Sequence, residues 1–174
     1  MKTFYLTTPI YYVNDKPHIG HAYTTILADV ISRFHRNSGK DVLFLTGLDE
    51  HGQKVQQAAK DNKVQPKDHC DNMAPSFIKL WKKLHIQYDD FIRTTEDRHQ
   101  IVVREILQRV YDAGDIYEDE YEGLYSVSEE RFITEKEADF GDYRDIKKLK
   151  EKNYFFKMSN YQEPLIEYLS LIHI

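Results

Sequence analysis

His18 and His21 enclose Ile19 and Gly20 at the end of the run Pro9-Ile10-Tyr11-Tyr12-Val13-Asn14-Asp15-Lys16-Pro17. On a helix start, residues three apart share one edge, so two imidazole N–H groups can reach one phosphate together. Gly20 has no side chain to hold an adenine ring off the backbone. A second group, Thr46-Gly47-Leu48-Asp49-Glu50-His51-Gly52, carries two carboxylates and an imidazole. Asp49 is suited to receive an ammonium through a charge-assisted hydrogen bond. Each residue also has a bland reading. The histidines can be helix caps, Asp49 the N-cap of the next helix, Glu50 a helix-start acid and His51 a packing or supporting residue.

The elements that must position these groups follow from periodicity. An apolar strand, Phe4 to Thr7, precedes a turn-rich loop, Pro9 to His21. Ile19, Tyr23, Ile26, Leu27, Val30, Ile31 and Phe34 then recur at helical spacing to about Asn37, and Gly39 supplies a stop. Asp41 to Gly47 is a continuous apolar run of the kind buried on both faces of a parallel sheet. Strand, helix and parallel strand make a βαβ unit, so the fold class is α/β with a doubly wound parallel sheet. Ligands of such sheets lie at the carboxyl ends of the strands, where both groups fall, and the helix start adds a positive dipole end for an anion.

Further helices are expected over 51–62 and 66–84, the second with an apolar face of Phe77, Ile78, Leu80, Trp81 and Leu84. A short extended segment, Phe91 to Thr94, leads into a helix that starts near Thr95 and ends at Gly114. From Ile116 to Val127 aromatic and acidic residues alternate, as in a half-exposed antiparallel sheet. A domain boundary is placed near Asp115. Lys147, Lys148, Lys150 and Lys152 stand among acids and read as a solvated mixed-charge face.

Composition limits the function classes. The 174 residues carry a net charge of −5, which leaves no global basic footprint for nonspecific nucleic-acid binding. Pro9 follows too short an apolar run for a signal peptide, and no stretch is long enough to span a bilayer. No membrane partner is expected, and a cytoplasmic location is. The single Cys70 excludes an internal disulfide and a cysteine-rich zinc knuckle.

Pro9 to Tyr12 and His18 to His21, joined to Thr46 to Gly52, resemble the amino-terminal catalytic half of the methionyl-tRNA synthetases, a class I aminoacyl-tRNA synthetase family. Asp90 to Glu96 and Gly114 to Gly123 are similar to further segments of that family, and the likeness runs from about Thr3 to Tyr168. It implies a Rossmann-like nucleotide-binding half-domain over 1–115, a shortened connective insertion over 116–168, and a tail over 169–174 unlike the family. It implies that His18, Gly20 and His21 hold ATP, with His18 and His21 stabilising the transition state at the α-phosphorus. Ile10 and Tyr12 would line the methionine pocket, and Asp49 would receive the α-ammonium of L-methionine. ATP would come with Mg²⁺, and tRNA(Met) would be the partner of the full-length protein.

Tyr125 to Glu130 and the Phe140-Gly141-Asp142 turn hold no cysteine, so the likeness is to the zinc-free form and no structural zinc is expected. Lys157-Met158-Ser159-Asn160 resembles the start of the family's phosphate-clamping loop but falls in the insertion, and Lys157 is given no catalytic role. The chain is expected to be an N-terminal fragment, inactive by itself. The alternative is a noncatalytic nucleotide-fold module that binds tRNA or a synthetase partner.

Overall fold

A computed structural model describes residues 2–129, 131–141, 143 and 145–172. Glu130, Asp142, His173 and Ile174, all within segments discussed above, lie outside the described residues. The chain divides into two compact units, Met1–Val103 and Arg104–Ile174.

The first unit holds β1 (Thr3–Tyr12), α1 (Ile19–Asn37), β2 (Asp41–Asp49), α2 (Gln53–Asp61), α3 (Pro66–Lys83) and β3 (Asp90–Arg93). The three strands form a parallel sheet in the order β1-β2-β3. Cys70, Ala74, Phe77 and Trp81 recur on one face of α3 and pack with Tyr11, Val13, Leu48 and Val55 into the core. Gly47 stands opposite Ile92, and a Cβ there would lie 2.1 Å from the Ile92 carbonyl oxygen. Only glycine permits that approach of β2 to β3.

β1 runs five residues beyond Thr7, so Pro9 to Tyr12 is strand rather than loop. The register shifts by one residue between Thr7 and Ile10. Pro9 has no N–H to give a ladder, and it stands at this bulge. The extra residue reverses the inside–outside alternation: Thr8 is buried before it, Tyr11 and Val13 after it. Ile10 and Tyr12 are thereby turned outward.

Helix α4 (Asp97–Asp112) begins in the first unit and ends in the second, where Gly114 follows with φ +79°. The second unit contains β4 (Ile116–Ser126), β5 (Arg131–Ile133), α5 (Glu135–Phe140), β6 (Ile146–Phe156) and α6 (Ser159–Ile172). Its sheet is antiparallel with order β5-β4-β6, and β4 and β6 pair along their whole length. On one face Lys148, Lys150 and Lys152 meet Glu122, Glu120 and Glu118, each at 2.6 Å. On the other, Tyr117 stacks on Phe155, and Phe132 meets Tyr121 and Tyr125 edge-on. Lys157 donates from Nζ to the Gly114 carbonyl at 2.8 Å. Residues 169–172 continue α6 without a break. No described helix is long and apolar enough to cross a membrane.

Candidate functional site

The loop after β1 is anchored at its start, where buried His69 on α3 reaches the Val13 carbonyl through Nε2 at 2.8 Å. At its end His18 is the N-cap of α1, and its Nδ1 accepts the Gly20 N–H at 3.1 Å. His21 reciprocates: its Nδ1 accepts the His18 N–H at 3.1 Å. The pair forms a capping box made of imidazoles, with ring centroids 3.8 Å apart. The bland reading of the two histidines is therefore correct, and it determines their chemistry. A backbone N–H can only donate, so Nδ1 of each neutral ring is the acceptor and Nε2 carries the proton. Two Nε2–H donors thus sit at the positive end of a long helix. A Cβ on Gly20 would lie 2.9 Å from His18 Cε1 and force that ring out of its capping position.

His21 is half-buried against Tyr11 and Phe77, with ring centroids 4.9 and 5.5 Å away. Burial, and then the neighbouring His18, lower its pKa below the ordinary 6.5. The ring is thus kept in the neutral form that capping requires. Thr25 donates to the His21 carbonyl at 2.9 Å, so the Tyr11 hydroxyl, 2.8 Å from Thr25 Oγ1, must donate to Thr25. Sequence reasoning passed over Tyr11 and Thr25; the odd–even switch at Pro9 was the signal that could have found Tyr11.

The register places Ile10 beside Gly47 and Tyr12 beside Asp49, at the carboxyl edge of the sheet. Ile10 is 42% exposed and Tyr12 46%, so neither is a core residue. Asp49 is half-exposed and accepts the His51 N–H at 3.3 Å. It does not cap α2, whose N-cap is Gly52 with no side-chain bond. His51 is exposed, with Nε2 3.4 Å from the Thr94 carbonyl.

Glu50 corrects another expectation. It is not a helix-start acid: its side chain is wholly buried and accepts from Arg93 Nε at 2.6 Å and from the Thr95 hydroxyl. Arg93 also bonds Asp71 on α3 at 2.5 Å. Burial works against the Arg93 charge, yet its bonds to Glu50 and Asp71 carry its pKa above the ordinary value. The bond from Arg93 is also the largest influence holding the Asp71 carboxyl below its usual range. Burial, and next the charge of Glu50, push the Cys70 thiol up to about 11, which leaves it an inert thiol. Among the described residues no group of three or more His, Cys, Asp or Glu side chains could hold a metal ion.

Residues 4–140 match the sequence model described as tRNA synthetases class I (M). The chain belongs to that family. Among curated class I synthetases, the Methionine--tRNA ligase of Clostridium tetani is 51% identical over 172 residues, 97% of this chain and 27% of the relative. That of Bacillus subtilis is 46% identical, covering 95% of this chain and 27% of the relative. The chain spans about a quarter of the length of these curated relatives. Mycobacterium tuberculosis methionyl-tRNA synthetase, solved in complex with methionyl-adenylate, superposes with a TM-score of 0.90 at 40% identity, covering 98% of this chain and 35% of that one. The Agrobacterium radiobacter K84 agnB2 LeuRS, solved in a ternary complex, shares the fold with a TM-score of 0.79 at 20% identity.

Proposed function

We propose that this chain supplies the ATP-binding part and one wall of the methionine pocket of a methionine–tRNA ligase. The observation that carries the reading is the juxtaposition at one sheet edge of two Nε2–H donors on α1 with Tyr12 and Asp49, neighbours in register. In the reaction a methionine carboxylate oxygen attacks the α-phosphorus of ATP, and the bond to the leaving pyrophosphate breaks. A terminal hydroxyl of tRNA(Met) then attacks the acyl carbon of the adenylate, the acyl–phosphate bond breaks, and AMP leaves. No protein nucleophile is needed, so the chain's work is positioning and charge stabilisation. His18 and His21 donate to the phosphate oxygens as negative charge builds at the α-phosphorus. Gly20 leaves room for the adenine, Ile10 and Tyr12 contact the thioether side chain, and Asp49 receives the α-ammonium. Mg²⁺ enters on the phosphates of ATP, and none of the described residues is assigned to it or to zinc.

The names of the relatives and the methionyl-adenylate held by the Mycobacterium homologue support the choice of methionine. Residues 1–115 would be the half-domain that binds nucleotide and 116–168 the connective insertion, and the reaction would take place in the cytoplasm. Methionine-dependent ATP–pyrophosphate exchange tests the reading. It is measured with this chain alone and with the chain completed by the remaining length of the Clostridium tetani relative. Exchange is expected only in the completed protein. Exchange with another amino acid but not methionine would overturn the assignment.

A further inference from the structure

The peptide that carries Asp49 is fastened on both sides, while the half-exposed Asp49 carboxylate takes just the local His51 N–H among the described residues. Before it, the fully buried Leu48 accepts the Thr94 N–H at its carbonyl at 3.2 Å. After it, the Glu50 N–H is held by Thr94 Oγ1 at 2.9 Å, and the Glu50 carbonyl faces Cys70 Sγ at 3.8 Å. The Glu50 carboxylate is then gripped by Arg93 and Thr95. All of these partners except Cys70 belong to the last residue of β3 and the turn after it, so the ends of β2 and β3 are fastened together around one half-exposed carboxylate. The charges alternate outward from the buried end: Glu50, Arg93, Asp71, and Lys67 at 3.2 Å from Asp71. They sum to zero. The network therefore adds no net charge of its own beside Asp49.

We infer that Glu50, locked by Arg93 and Thr95, is a positioning residue that aims Asp49. This rests on the reading above that Asp49 receives the methionine ammonium. A buried ion pair is a poor way to hold a fold, since well-packed apolar residues do as well or better. What the pair supplies here is a fixed direction for the residue before Glu50. Arg93 stands opposite Leu48 in the ladder and also bonds Asp71 on α3, so the pair lies on the face of β2 turned away from Asp49 and acts on it through the backbone between them.

The test uses Glu50→Gln, Thr95→Val, Asp49→Asn and the double variant Glu50→Gln with Arg93→Gln in the completed enzyme, with ATP–pyrophosphate exchange as readout. Glu50→Gln is expected to raise the KM for methionine roughly tenfold with the KM for ATP unchanged. The milder Thr95→Val is expected to raise it about threefold, and the double variant, which still lacks the lock, to stay at least as high as Glu50→Gln; recovery there would point to a freed Arg93 charge and overturn the positioning role. A loss spread equally over both substrates would mean a merely structural role and overturn the inference. Asp49→Asn with an unchanged methionine KM would instead overturn the assignment of Asp49. A raised KM in Asp49→Asn with none in Glu50→Gln and Thr95→Val would leave that assignment standing and sink the positioning role.

Discussion

In the parallel sheet the Glu50 carboxylate is wholly buried and held by Arg93 and Thr95, whereas in the antiparallel sheet Glu118, Glu120 and Glu122 meet their lysines with about half of each carboxylate side chain in water. Equal distances of 2.6 Å hide different physics. In water the gain from an ion pair is offset by hydration and side-chain entropy, so the exposed ladder contributes solubility and little stability. Away from water, losing Arg93 would strand a buried carboxylate, and losing Glu50 would leave Arg93 to Asp71 alone. Charge is spent where geometry matters, beside Asp49, and spread thinly elsewhere.

The sharpest way to break this contrast is Glu50→Ala. It is expected to destabilise the first unit by about 3–5 kcal/mol, read as a fall in the urea midpoint. A cost no greater than that of Lys150→Ala would erase the distinction between the two sheets. Next comes His18→Ala, which removes one half of the capping box. About 1 kcal/mol of stability is expected to go, and ATP binding measured by calorimetry on the completed enzyme should weaken as well.

A smaller effect follows from pH. His21 can accept the His18 N–H only while unprotonated, and its folded pKa lies below 6.5. As pH falls the unfolded chain takes up the proton first. The stability from this ring is therefore complete above 6.5 and is lost as pH drops from there toward the lower folded value. Amide exchange of His18, corrected for its intrinsic rate, should stay slow above pH 6.5 and speed up as pH falls below it. Constant protection would mean that the cap does not depend on the neutral ring. Smallest of all, Lys150→Ala should shift the unfolding midpoint by less than its scatter, and added salt should remove what shift there is.

Much of the scaffold was legible because periodicity reports burial directly. The spacing of Ile19 to Phe34 gives α1, and the apolar run after Asp41 gives β2. The alternation from Ile116 gives β4. His18, Gly20 and Asp49 were marked by type and position. What could not be read depended on contacts distant in sequence. Glu50 looks like any helix-start acid until Arg93 and Thr95 are brought to it from β3 and the turn beyond. Tyr11 and Tyr12 are adjacent and identical in type, and only the bulge at Pro9 decides which enters the core. The caps fell between two readings treated as rivals, when the Nδ1 atoms that cap α1 are what leave Nε2 to donate.

The lysine–glutamate ladder has one more consequence. Its rungs repeat every two residues, and each lysine reaches back diagonally: Lys150 stands opposite Glu122 yet bonds Glu120. If β6 slid by two residues in either direction, two of the three rungs would form again with new partners. The ladder therefore behaves like a ruler with identical marks and cannot tell neighbouring alignments apart. Tyr117 against Phe155, and Phe132 between Tyr121 and Tyr125, do not repeat along the strands. Alignment of the two long strands falls to Tyr117 against Phe155 on the opposite face, while Phe132 sets β5 against β4, and a variant stripped of Tyr117 and Phe155 while keeping every charge would be free to settle out of step.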